Sequence, residues 1–330
     1  MKKLFLSVAI LAAFASCSKN EVLDGATSKS ISFTSLNDNV TRAETEGQTS
    51  GQANDQESDY KVYAVTSSVN DAWYIDGTIN TDRTGTNVTY YWPNVDGETT
   101  DFYAYAPADA ATATATPISV ISVEYAVDGL EDFTVATPIE DREYYDGDDN
   151  TTDSNAVDFV FSHMLAKVTV QVALSESLTK AGYTLGETNT AVIGVNESVG
   201  TVDVMAKIPA MDNAESKTEA TYDANLDTYY VLPQGAEGCT VQATGVTIYN
   251  SLETVIHSDK ALLEYKISAE NAKLFDETTS SFVAGKAYVI TLTITDLSSD
   301  EEGDPLFGGS INFSASMVNW DEVGVGLTQG

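Results

Sequence analysis

The chain has 330 residues and a formal net charge of −34 at pH 7, with 16 Lys and Arg against 50 Asp and Glu. Such an excess of acid argues against a nucleic-acid ligand, whose phosphates it would repel, and against a polybasic contact with a membrane surface. The length is enough for two domains of ordinary size.

Residues 1–16 read as a secretory signal peptide. Lys2 and Lys3 supply a positive start, 4–14 is an apolar run, and Ala15 and Ser16 are small. The run is too short to cross a bilayer as a permanent helix. Cys17 follows directly, and small residues just before a cysteine resemble a bacterial lipobox, in which the cysteine is acylated and becomes the new N-terminus. An acyl chain on Cys17 would then anchor the exported chain to a membrane. Loss of 1–16 removes two lysines and no acid, so the remainder is more acidic still. The only other cysteine is Cys239. With Cys17 acylated, no intrachain disulfide forms, and stability must come from buried area. Cys239 lies in the strand-like stretch Gly-Cys-Thr-Val-Gln-Ala and is expected in the core.

Residues 18–30 are polar and predict a flexible tether; 31–36 (Ile-Ser-Phe-Thr-Ser-Leu) predict a short strand. From 44 to 59 no large apolar residue occurs, so this stretch is expected to be exposed and mobile. Short strands between turn residues follow, at 60–67, 72–75, 87–92, 101–106, 118–127 and 132–137, rich in Tyr, Val, Thr and Ile. Pro93, Pro107 and Pro138 stand at their ends. Ten of the seventeen tyrosines fall between 60 and 145. They fit either half-buried sheet faces or an exposed surface that stacks against carbohydrate.

An acidic segment, 146–153, separates a second strand set. Asp146, Asp148 and Asn150 alternate oxygen donors, but the sixth and twelfth positions of an EF-hand loop are occupied by Thr151 and Val157. A solvated linker is the expectation here rather than a calcium site. The second set begins with one long strand over 157–174, in which Val168, Val170 and Val172 share a face. Further strands are expected at 190–196, 200–208, 228–233, 240–249, 261–267, 286–296 and 310–318. In 286–296, Tyr288, Ile290, Leu292 and Ile294 line one face and Thr291, Thr293 and Thr295 the other. One or two helical turns are expected at 175–181 and 268–275. The pattern is all-β, two sandwiches of about seven strands each, divided near residue 154. Strand number alone leaves immunoglobulin-like and transthyretin-like arrangements open.

No nucleophile elbow, no His-x-x-x-His and no phosphate loop occurs, and nothing singles out a pair among the many carboxylates. His163 sits beside Phe161, Met164 and Leu165 and is read as structural. No enzymatic activity and no cofactor or metal is expected. Arg42 is one of three arginines, with Arg83 and Arg142, and it stands just before the polar stretch, where a protease can take the backbone in extended form.

Cys17-Ser-Lys-Asn-Glu, Ile31-x-Phe33 and Thr41-Arg42-Ala43 resemble the start of the fimbrillin-family lipoproteins of Bacteroidales. Tyr91-Trp92-Pro93, Phe102-Tyr-Ala-Tyr-Ala-Pro107, Phe161-Ser-His-Met-Leu-Ala-Lys-Val168, Val231-Leu-Pro-Gln234, Ala284-Gly-Lys-Ala-Tyr288 and Val318-Asn-Trp320 continue the resemblance in order along nearly the whole exported chain. It implies two transthyretin-like β-sandwich domains in a pilin subunit. It also implies transit to the outer membrane and cell surface as a lipoprotein, and cleavage between Arg42 and Ala43 by an Arg-specific trypsin-like protease. Loss of the first strand, with Ile31 and Phe33, then opens a groove for a strand from a neighbouring pilin subunit, so that a fimbria grows and supports adhesion. The division this implies is 1–16 signal peptide, 17–59 lipidated tether, first strand and cleavage loop, 60–154 first sandwich completed by 31–36, and 155–330 second sandwich with its tail. In that tail Val323, Val325 and Leu327 alternate with Gly324, Gly326 and Thr328, which makes it the candidate donor strand. A different outcome is a surface lipoprotein that stays anchored and binds a host protein or glycan without polymerising.

Overall fold

The computed structural model describes residues 29–37, 59–69, 72–80, 88–110, 112–117, 119–144, 156–186, 190–213, 219–223, 228–257, 263–299, 305–306 and 311–318. The architecture is all-β. Its largest sheet runs in the order Ser32–Asn37, Ala156–His163, Thr134–Ala136, Thr100–Ala106, Tyr60–Thr66, Ile75–Ile79, with Ile139–Arg142 also paired to Thr100–Ala106. The two central strands of this sheet are covered on both faces. Tyr60, Val62 and Ala64 join Phe102, Ala104 and Ala106 in one apolar cluster, while Tyr63, Val65, Tyr103 and Tyr105 join another on the opposite face. Such strands read as near-continuous apolar runs rather than alternating ones, as Tyr-Lys-Val-Tyr-Ala-Val does. Five of the ten tyrosines between 60 and 145 are therefore core residues. Tyr60, Tyr63, Tyr103, Tyr105 and Tyr125 are all buried, and burial pushes the Tyr103 hydroxyl up to about 12, with Asp101, Glu140 and Asp203 adding to the shift.

Beyond the first sheet, Thr228–Val231, Ala166–Leu174, Ala287–Ile294 and Ile311–Val318 form a second, and Ala220–Asp223, Thr190–Val195, Thr240–Thr244 and Leu263–Lys266 a third. Val168, Val170, Tyr288, Ile290 and Leu292 from the one and Ile193, Val241 and Ala243 from the other lie in a single apolar cluster. A fourth sheet joins the halves of the chain. Its middle strands are Val120–Ala126 and Val199–Asp203, flanked by Thr112–Thr116 and Met211–Asn213. Among the described residues the helices are two short ones, Glu176–Lys180 and Ala269–Ala272; at the latter Ser268 caps the turn by accepting from the Asn271 N–H at 3.3 Å.

Three differences from the sequence pattern have physical causes. The long strand expected over 157–174 is two strands, Ala156–His163 and Ala166–Leu174, in different sheets. Met164 and Leu165 are both buried and belong to neither strand. Their backbone is tied to other segments, Met164 N–H to Phe133 C=O at 2.8 Å and Leu165 C=O to Gly285 N–H at 2.9 Å. The chain thus leaves the first sheet for the last time at 164–165. Residues 88–92 contribute one bridge, Ser30 with Tyr91, and no strand. The stretch 240–249 breaks at Gly245, whose φ of 68° suits glycine, into Thr240–Thr244 and Ile248–Tyr249.

His163 ends its strand with Nδ1 on the Asp132 carboxylate, and burial raises the Asp132 carboxyl above its ordinary value. It is a part-buried pair that ties the end of the strand to the segment before Phe133. Gln234 is a buried polar anchor. Its Oε1 accepts from the N–H of Asn196 at 3.0 Å and of Glu197 at 2.9 Å, and its Nε2 donates to Glu197 C=O at 2.8 Å. Cys239 lies beside it in the core, 1% exposed.

Two tests follow from this local structure. Gln234→Met strips two backbone donors of their partner, so chemical denaturation should show a loss of about 1–3 kcal/mol. Burial pushes the Cys239 thiol up to about 11 from 9.0. In a Cys17→Ser chain Cys239 should therefore resist a thiol reagent at pH 8 until denaturant is added. Because the folded value is the raised one, the neutral thiol supports the fold below about 9, and that support is lost as pH rises toward 11.

Candidate assembly site at the edge of the first sheet

Ser32–Asn37 is the terminal strand of the largest sheet and pairs in parallel with Ala156–His163, Ser32 opposite Ala156 and Asn37 opposite Phe161. Parallel pairing here is possible because the two strands are joined only through the long intervening chain, not by a hairpin. Alternation sends Ile31, Phe33 and Ser35 inward; Ile31 is 8% exposed and Ser35 fully buried. Phe33 meets three rings, stacked on Phe159 at 6.0 Å and edge-on to Phe102 at 6.1 Å and Tyr90 at 6.2 Å. On the outer face the Thr34 hydroxyl donates to the Asp158 carboxylate.

The start of the segment is held by a second element. Ile31 N–H donates to Tyr90 C=O and Trp92 N–H donates to Lys29 C=O, both at 2.8 Å. Trp92 is buried edge-on to Phe102 at 5.5 Å, and the Lys29 ammonium lies 4.5 Å from the centre of the Tyr144 ring. Tyr90 spans from Phe33 back to the far edge strand, where its ring lies over Gly77. A Cβ there would come within 1.8 Å of the Tyr90 hydroxyl oxygen. The partly buried hydroxyl, raised by desolvation, sits in the field of the Lys61–Asp76 ion pair, which closes at 2.5 Å. Two side chains of the first strand thus complete an aromatic core that the rest of the sheet leaves open on one side. Burial of an Ile or Phe stabilises by about 1.5–3 kcal/mol each, so losing the strand without replacement exposes a substantial apolar face and one row of backbone donors and acceptors.

Of the residues singled out in the sequence, Ile31 and Phe33 are placed together at this edge. Cys17, Arg42, Ala43, Val323, Val325 and Leu327 lie outside the described residues, as does the acidic segment 146–153. Tyr90, Gly77 and Ser35 were not expected to matter. The signal for Gly77 was a glycine inside a short strand, which often marks the close approach of another group. Among the described residues, no three His, Cys, Asp or Glu side chains gather as a metal site. No helix among them is long and apolar enough to cross a membrane.

Residues 41–320 match a family model described as fimbrillin-like. No curated protein matches the chain in sequence. Among solved structures, the chain is similar to a cell adhesion protein from Bacteroides uniformis at 20% identity and TM-score 0.54, covering 89% of this chain and 99% of that one. A fimbrial protein from Bacteroides vulgatus aligns at 12% identity and TM-score 0.46, covering 88% and 99%. The first of these likenesses speaks for the fold.

Gly77→Ala should act at a distance by displacing Tyr90. Amide hydrogen exchange in Ser32–Asn37 should rise, while Ala287–Ile294, in another sheet, keeps its protection. Equal loosening of both would show that Tyr90 does not hold the first strand.

Proposed function

Since this chain belongs to the fimbrillin-like family, we propose that it is a structural pilin subunit of a cell-surface fimbria, exported as a lipoprotein and assembled by strand exchange in support of adhesion. In this reading Cys17 carries the lipid that delivers the subunit to the outer membrane. An Arg-specific trypsin-like protease cuts between Arg42 and Ala43, and the segment before the cut, with Ser32–Asn37, leaves the sheet. A strand from a neighbouring subunit then takes its place.

The observation that carries this reading is the position of the first strand. It is an N-terminal segment at a sheet edge, its inward residues complete an aromatic core, and its link to Tyr60–Thr66 runs through the stretch that contains Arg42. Replacing one edge strand by another restores both the apolar burial and the backbone hydrogen bonds, as in β-strand addition. On the side of the donor, Val323, Val325 and Leu327 have the required period of two. The alternative of an anchored glycan binder drew on the tyrosines of the first half, and five of these are core residues.

The mature N-terminus on cells decides between the two. Mass spectrometry should find Ala43 as the first residue, and Arg42→Ala should abolish both that terminus and the ladder of polymers on non-denaturing gels. An acylated Cys17 on the surface protein, with no ladder, would favour the anchored binder.

A further inference from the structure

We infer that the groove under the first strand selects its incoming strand by an aromatic side chain at the place of Phe33 and a small one at the place of Ser35, and that the chain's own tail meets neither demand. This rests on the strand-exchange reading above and identifies the kind of partner it requires. The favoured occupant is an extended segment of a different polypeptide that reads aliphatic, any, aromatic, any, small.

The central subsite is a box of three rings, Tyr90, Phe102 and Phe159, each about 6 Å from the Phe33 centroid. Only another flat ring can stack on Phe159 while presenting its edges to the other two. The next inward position is the reverse case. Ser35 is 0% exposed and stands opposite Phe159 in the ladder, so a branched side chain there overpacks.

The tail after Val318 is Asn-Trp-Asp-Glu-Val-Gly-Val-Gly-Leu-Thr-Gln-Gly. With Val323, Val325 and Leu327 inward, Val325 falls in the ring box in either strand direction, and Leu327 or Val323 falls on the Ser35 position. The centre is then underfilled and the end overfilled. Sliding by two residues exchanges one aliphatic for another in the box. Trp320 is the one aromatic in this stretch, and using it puts Glu322 at the buried Ser35 or Ile31 position. A carboxylate without a partner is not accepted there. Period alone thus qualifies the tail, and volume disqualifies it.

The test uses the full chain in an Arg83→Lys, Arg142→Lys background, so that an Arg-specific protease cuts only after Arg42 and the strand stays seated. Labelled peptides of 29–37, its Phe33→Val and Ser35→Val forms, and 319–330 compete for the groove, read by fluorescence anisotropy. The 29–37 peptide should bind, and each of the other three should bind at least about tenfold more weakly. A tail peptide within about threefold of 29–37, or a Phe33→Val peptide that binds as well as the native one, would overturn the inference. If the 29–37 peptide itself never exchanges, strand exchange fails as the function, and the subsite is judged on the uncut chain. There Phe33→Val should raise amide exchange over Ala156–His163 and Phe33→Tyr should not. Equal behaviour of the two sinks the aromatic requirement independently of assembly.

Discussion

The parallel ladder between Ser32–Asn37 and Ala156–His163 is the constraint on which the first half of this molecule depends. Val157, Phe159 and Phe161 line the inner face of a strand whose outer face carries the exposed Asp158 and Val160. One neighbour of that strand is Thr134–Ala136; the other is the N-terminal segment alone. Without it the three apolar side chains would border solvent, and one row of backbone groups would lose its partners. Every other contact of the segment reinforces this one: the bridge to Tyr91, the rings around Phe33, the stack of Lys29 on Tyr144.

Much of the fold was legible where one physical demand dominates. Strands half-buried on a sandwich face show the period of two, and Tyr288, Ile290, Leu292 and Ile294 are buried as that period required. Strands buried on both faces were also found, because Tyr60–Thr66 and Thr100–Ala106 are apolar almost throughout. What was hidden depended on distant backbone. Nothing in Phe-Ser-His-Met-Leu-Ala announces that Phe133 and Gly285 tie the chain at Met164 and Leu165 and turn it into another sheet. Short edge strands such as Ile139–Arg142 and Ala220–Asp223 were missed because their polar residues gain order only from the strand beside them. At the candidate site Ile31 and Phe33 stood out by period, whereas the parts of Tyr90 and Gly77 exist only in three dimensions.

The residues that carry the family resemblance are largely devices of packing. Trp92 closes the aromatic core against Phe102, and Gln234 binds a turn through two backbone N–H groups and one carbonyl. The Tyr288 hydroxyl accepts from Val283 N–H at 3.1 Å, fixing the entry to the long strand. Loose as each motif is, together they mark places where a polar or ring atom must reach one partner. The acidic side chains that give the chain its charge keep the exposed surface between them solvated.

The turn at Met164–Leu165 makes the strand that seats the N-terminal segment continuous with Ala166–Leu174, a central strand of the second sheet. Whatever chain is laid along Ala156–His163 is thereby coupled, through two covalent residues, to the middle of the neighbouring core. Tension applied lengthwise to a seated strand loads its hydrogen bonds together, in shear, instead of opening them one after another. It then passes through the backbone into a strand flanked on both sides. The same corner that ends one sheet and begins another is thus a mechanical splice, placing the grip of the edge in series with the best-supported part of the fold.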